Sequence, residues 1–316
     1  RPGCHLEPAR SLAAGTACEA VGAKFGMLTT LHAPVRKGGA AHGKLPPASR
    51  FFESSGLLVA RSGWGRKDSL LFVTAEPREK KAGHSHDDFG AFQLWCNGQP
   101  LFLDAATWGY RIDQIIPAER GYYYSAFSHN LLTVEGYRPK KVFQSMGDVR
   151  QWWGDRNHPA VTLERLDLDG PRGEMVVSHP AFPGMKVTRR YTFDLAARWL
   201  EFEDTVVTEQ AEQRVFRQWL HTGFGAVVRK VPEQGHGRHK AGPTGRDVLG
   251  VRLNGVEAKC RWTASEPLEV VVERSPEVER AARVFRFGRP WRAYAECATR
   301  AMELRLGCRV EWGKPD

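Results

Sequence analysis

From Phe51 onward the chain is a succession of short apolar or alternating runs, each cut off by turn-forming residues at roughly ten-residue spacing, and helical periodicity is almost absent. The runs are Leu57–Arg61, Leu70–Thr74, Phe89–Cys96, Leu101–Leu103, Asn130–Glu135, Glu174–Ser178, Lys186–Phe193, Trp199–Val207, Arg214–His221, Val248–Leu253, Leu268–Val272, Val284–Phe287 and Ala301–Leu306. Strands this short and this regular must bury one face against another sheet, so the expectation is an all-β fold, a large antiparallel β-sandwich with long loops. Asn97-Gly98 between two such runs is the dipeptide of a two-residue type I′ hairpin, because both central residues need positive φ. A second hairpin is expected where Arg189–Asp194 and Arg198–Asp204 flank a turn at Leu195–Ala197. Residues 229–246 are polar and Gly-rich and read as a surface loop.

Residues 1–50 differ in texture. They are rich in Gly, Ala and Pro, with at most one short helix near Glu19–Phe25, and read as an irregular lead-in or linker to a sandwich domain over 51–316. The start at Arg1-Pro2-Gly3, with no Met and no basic-then-apolar leader, reads as a trimmed or processed end. No apolar run approaches the roughly 20 residues a helix needs to cross a bilayer, so no membrane partner is expected. The six cysteines form no Cys-x-x-Cys pair, which argues against a cysteine zinc site; their even number permits disulfides without requiring them, and Cys297 and Cys308 in apolar runs can equally be buried thiols. A formal charge of +10 favours a polyanionic partner. The basic residues make no helical stripe and accompany no zinc-finger spacing, Walker loop or RNP-like aromatic motif, so nucleic acid is not the expected polyanion.

Chemistry concentrates in Gly83-His84-Ser85-His86-Asp87-Asp88, in Asp104 beyond the hairpin, and in His129-Asn130 twenty-five positions later. His residues at i and i+2 of an extended segment project to one side with Cβ atoms about 6–7 Å apart, which suits shared metal ligation or one ligand beside one catalytic base. A straight two-residue hairpin would set Asp104 opposite Ala91, about 17 Å along the strand from His86. The three segments therefore converge only if residues 84–88 fold back over the strand end, which Asp87, Asp88 and Gly90 permit. The alternative is that the histidines merely satisfy buried carbonyls.

These residues, with Phe92-Gln93-Leu94-Trp95, Asn97 to Asp104 and Tyr124 to Gly136, resemble the heparinase II/III-like polysaccharide lyases over about residues 51–210. The resemblance implies the C-terminal β-sandwich domain of that family. It implies His86, Asp104 and His129 as ligands of one structural zinc, a neutral-imidazole and carboxylate set to which calcium is less suited. It implies His84 and Tyr110 as substrate-facing catalytic residues, with Arg111 and Arg120 as candidates for holding an acidic polymer. The implied reaction is β-elimination from uronic-acid-containing polysaccharide, glycosaminoglycan or alginate, by a periplasmic or secreted enzyme. The family's N-terminal (α/α) toroid, which supplies the other wall of the cleft, has no counterpart in this sequence, so a missing toroid of the same polypeptide is the expected partner. Competing expectations are a non-catalytic carbohydrate-binding sandwich that stacks sugars on Trp95, Trp108, Trp152 or Trp153, and a zinc hydrolase with His84, His86 and Asp104 around an open metal position.

Overall fold

A computed structural model of the chain describes residues 47–77, 86–104, 125–136, 160–232, 247–274 and 291–313. All of them fall in one compact unit, Pro34–Asp316. The expected helix near Glu19–Phe25, the run Val284–Phe287, and His84, Trp108, Tyr110, Arg111, Arg120, Trp152 and Trp153 lie outside the described residues.

The described residues form three antiparallel sheets. One has five strands in chain order, β1 (Arg50–Phe52), β2 (Leu57–Arg61), β3 (Leu70–Thr74), β4 (Phe92–Cys96) and β5 (Gln99–Phe102). A second has four, in the order β15 (Glu269–Arg274), β16 (Trp291–Thr299), β11 (Arg214–His221), β6 (Leu132–Val134). The third has eight, starting with β12 (Val227–Pro232), β13 (Asp247–Leu253), β14 (Val256–Ala264) and β17 (Glu303–Trp312). It continues through β10 (Trp199–Thr208), β9 (Met185–Asp194), β8 (Gly173–His179) and β7 (Thr162–Asp167). Alternation of buried and exposed positions along β9 and β14 is what a sheet with one covered face requires.

The two smaller sheets lie on the same side of the eight-stranded one. Phe92 of β4 packs its ring 4.8 Å from that of Phe202 on β10 and 6.1 Å from that of Tyr191 on β9. From β11, Gln218 Nε2 donates to Asp204 on β10 and to the Leu306 carbonyl on β17. One continuous hydrophobic core draws on all three sheets. Fully burying residues the size of Phe92, Phe202 and Phe216 stabilises the fold by about 1.5–3 kcal/mol each, which is how short strands hold two layers together.

The smaller sheets are joined along one edge of β11. That edge pairs with β6 through Phe216–Val134 and Gln218–Leu132, and Trp219 N–H still donates to the Leu131 carbonyl. Two residues on, the partner changes: Leu103 N–H donates to the His221 carbonyl, Phe102 bridges Thr222, and Gly223 N–H donates to the Leu101 carbonyl. Asp104 leaves β5 and Asn130 enters β6 at this changeover.

The Asn97-Gly98 turn has φ of 50° and 78°, as a type I′ hairpin requires. A Cβ on Gly98 would fall 2.0 Å from the Arg66 carbonyl oxygen, so only glycine fits there. The turn between β9 and β10 is also where the sequence puts it, with Asp194 Oδ1 accepting from Ala197 N–H. Several expectations are corrected. Residues 229–232, read as part of a loop, belong to β12 and pair with β13 from Arg229 opposite Gly250 to Pro232 opposite Asp247. Phe89 and Gly90 form a turn, and β4 starts only at Phe92. The last strand begins at Glu303 rather than Ala301 and runs on to Trp312. The four described cysteines, Cys96, Cys260, Cys297 and Cys308, are buried free thiols, and burial pushes the Cys297 thiol up to about 11.

Candidate functional site

The fold-back that the sequence demanded is present. Asp88 offers its carbonyl to both Thr74 Oγ1, at 2.7 Å, and Ala91 N–H, at 3.0 Å, and Gly90 turns with φ of 69°. On the other side of the hairpin a bulge between Leu94 and Trp95 pairs Leu94 with Phe102 and shifts the register by one residue. The pairing of Leu94 with Phe102 replaces the straight-hairpin register, and it is the turn through Asp88–Gly90 that brings His86 back toward Asp104. The rings of His86 and His129 lie 5.3 Å apart, and His129 Nδ1 stands 3.1 Å from Asp104 Oδ1. His86, Asp104 and His129 are thus brought to one place, whereas His84 and Tyr110 lie outside the described residues.

Asn130 explains why this cluster holds its shape. Fully buried, it accepts from His221 N–H through Oδ1 at 2.6 Å and donates through Nδ2 to the Phe92 carbonyl at 2.9 Å. It thereby occupies the gap where β11 changes partner and satisfies backbone groups that neither β5 nor β6 reaches. Beneath it, Arg189 donates to the Asn130 carbonyl at 2.7 Å and the Gly90 carbonyl at 3.4 Å, while Tyr191 Oη donates to the same Gly90 carbonyl at 2.5 Å. The guanidinium is locked into a two-pronged pair with Asp204, at 2.7 and 2.6 Å. Against the cost of burial, Asp204 holds Arg189 above its ordinary value, and burial carries the Tyr191 phenol up to about 12. The residues that follow His86 and His129 are therefore clamped by one buried cation.

Two residues that the sequence reading missed as site residues belong to the cluster. Gln93 on β4 donates Nε2 to Asp104 Oδ2 at 2.9 Å and so fixes the carboxylate. His221 closes β11, stacks on Trp219 at an interplanar angle of 16°, and shares its surroundings with Asp104 and His129. Burial drives His221 down to about 3, Arg292 and His129 lower it further and Asp104 opposes them, so the ring is neutral. Neither residue carries a local signal. Gln93 reads as any polar residue in an alternating strand, and the proximity of His221 follows only from the strand pairing.

The donor set fits a borderline-soft divalent cation: two imidazoles, a carboxylate with one buried oxygen lacking a hydrogen bond, and a third imidazole beside them. Among the described residues no group of three or more His, Cys, Asp or Glu is already spaced to hold an ion. The third imidazole and two partly covered acids at Asp87 and Asp88 sit on the layer formed by the smaller sheets.

A two-layer antiparallel sandwich with a histidine and aspartate cluster at the seam of its composite layer defines a narrow class of β-domain. The sequence matches the family described as heparinase II/III-like, C-terminal, over residues 44–296, and the chain belongs to that family. It is 30% identical over 123 residues to a heparin-sulfate lyase of Bacteroides stercoris, a stretch covering 39% of this chain and 18% of that protein. Its fold matches the structure titled Heparinase III-BT4657 gene product with a TM-score of 0.65 at 16% identity, over 86% of this chain and 37% of that one. It also matches heparan sulfate lyase HepC from Pedobacter heparinus, with a TM-score of 0.64 at 13% identity, over 94% of this chain and 41% of that one. The chain spans less than half the length of each of these relatives. Fold and family stand as the sequence reading had them, with Trp95 packed away as a buried residue of β4 rather than displayed for stacking.

Proposed function

We propose that this chain is the β-sandwich part of a polysaccharide lyase that cleaves uronic-acid-containing acidic polysaccharide by β-elimination. The observation that carries the reading is the meeting of His86, Asp104 and His129 from three chain segments. In this reading those three residues hold one zinc ion, which would supply no chemistry beyond fixing the three segments, and Gln93 orients the carboxylate ligand.

The reaction removes the proton at C5, which the adjacent uronate carboxylate acidifies. The electron pair becomes the C4=C5 double bond, and the glycosidic oxygen on C4 departs with a proton. His84, two residues before His86, donates to the uronate carboxylate as charge builds on it, and Tyr110 exchanges the proton with the sugar. Basic side chains raise the local concentration of the polymer, which gives the net charge of +10 a role. An N-terminal toroid of the same polypeptide supplies the opposite wall of the cleft, and a secreted or periplasmic setting follows from an extracellular substrate.

The test combines elemental analysis with a product assay. About one zinc per chain, lost in His86→Ala, together with ultraviolet-absorbing unsaturated product from a uronic polysaccharide treated with the polypeptide that carries this chain, is the expected result. Affinity for the polysaccharide without unsaturated product would turn the domain into a carbohydrate-binding module. Chelator-sensitive hydrolysis without unsaturation would make it a zinc hydrolase.

A further inference from the structure

We propose that His221 is a fourth protein ligand of the centre, so that the set is His86, Asp104, His129 and His221; the inference rests on the zinc reading above. Its backbone is fixed between the two ligand-bearing segments. The N–H of His221 donates to the side chain of Asn130, which follows His129, and its carbonyl accepts from Leu103, which precedes Asp104. The position of its Cα is therefore set by the same seam that sets the other ligands.

The side chain is prepared as metal-binding imidazoles are. It is only 3% exposed, and its Nε2 is buried without a hydrogen-bond partner, a polar atom that burial disfavours unless something occupies it. Stacking on Trp219 fixes the ring plane, and the neighbouring cation, Arg292, is turned to Glu273 at 2.6 Å. Three imidazoles and one carboxylate make a closed four-coordinate set, which suits a structural role and leaves no open position for a metal-bound nucleophile.

X-ray absorption on the zinc-loaded wild type, which needs no variant to fold, counts the imidazoles. Three support the proposal and two overturn it. Chelator competition on His221→Ala, with folding checked by circular dichroism, gives the second reading. A fall in zinc affinity of at least tenfold, with an altered visible spectrum of the cobalt-substituted protein, is expected, whereas wild-type affinity and spectrum would overturn the assignment. If the wild type holds no zinc, or His86→Ala keeps it, the metal centre itself fails and the inference falls with it. Zinc that depends on His86 but not on His221 sinks only the inference.

Discussion

Replacing Arg189 by Met tests whether the buried ion pair is what holds the seam. Arg189 and Asp204 side chains are 2% and 1% exposed, and the guanidinium serves Asp204 twice, the Asn130 carbonyl once and the Gly90 carbonyl weakly. Met fills similar space but leaves Asp204 with only Gln218 Nε2, at 2.8 Å, to balance a full buried charge. Breaking a buried pair from one side costs about 3–5 kcal/mol. With a urea m-value of about 3 kcal/mol per M, the midpoint falls by about 1–1.7 M. Asp204→Leu alone strands the cation and costs about as much. The double variant Arg189→Met/Asp204→Leu removes both charges and retains only the loss at the Asn130 carbonyl and the Gln218 amide, each about 1–3 kcal/mol. It is therefore less destabilised than the two single losses summed, by a coupling of at least about 2 kcal/mol. Urea unfolding followed by tryptophan fluorescence gives all three numbers. Additivity within about 0.5 kcal/mol would refute the reasoning, because it would mean that the two side chains stabilise the fold independently.

Three further outcomes are expected. Burial holds His179 down at about 4 from 6.5, with Asp204 opposing and Arg189 assisting, and the unfolded chain takes up the proton that the native ring refuses. Its contribution is complete above pH 6.5 and is lost as pH falls toward 4, up to about 3 kcal/mol, so stability measured against pH should slope through that window and His179→Gln should flatten it; an unchanged slope would acquit the ring. Gly98→Ala forces a left-handed alanine into the Arg66 carbonyl and should cost at least about 2 kcal/mol in a thermal melt, while a neutral effect would contradict the turn geometry. Gln93→Leu frees the Asp104 carboxylate and should weaken zinc binding about 10- to 100-fold in chelator competition with the fold intact; unchanged affinity would show that the hydrogen bond does not orient a ligand.

The sequence made most of the sheet legible wherever large apolar residues alternate, and failed where the buried positions are small. β16 buries Ala293, Ala295 and Cys297, and β14 buries Ala258 and Cys260, residues that a hydrophobic scan passes over although the alternation is complete. The signal for β14 was there in Asn254-Gly255, a second dipeptide of the same kind as Asn97-Gly98, with φ of 48° and 83° and Leu253 paired to Val256. His86, Asp104 and His129 could be picked out because each stands beside turn residues at the end of a strand. His221 stands at the end of a strand too, but nothing local separates it from Gln218 or Thr222.

Its place follows from a long-range fact, that β6 and β5 take successive stretches of one edge of β11. A site built on such a handover depends on the register of every strand that meets there. A one-residue slip turns each side chain of a strand to the opposite face, so the pairing of β4 with β5 bears on what reaches the seam. The bulge between Leu94 and Trp95 sets that register, pairing Leu94 with Phe102. Hairpin and bulge together are therefore as much a part of the site as its histidines: the hairpin returns β5 to the seam, and the bulge sets the register in which Phe102, two residues before Asp104, meets β4.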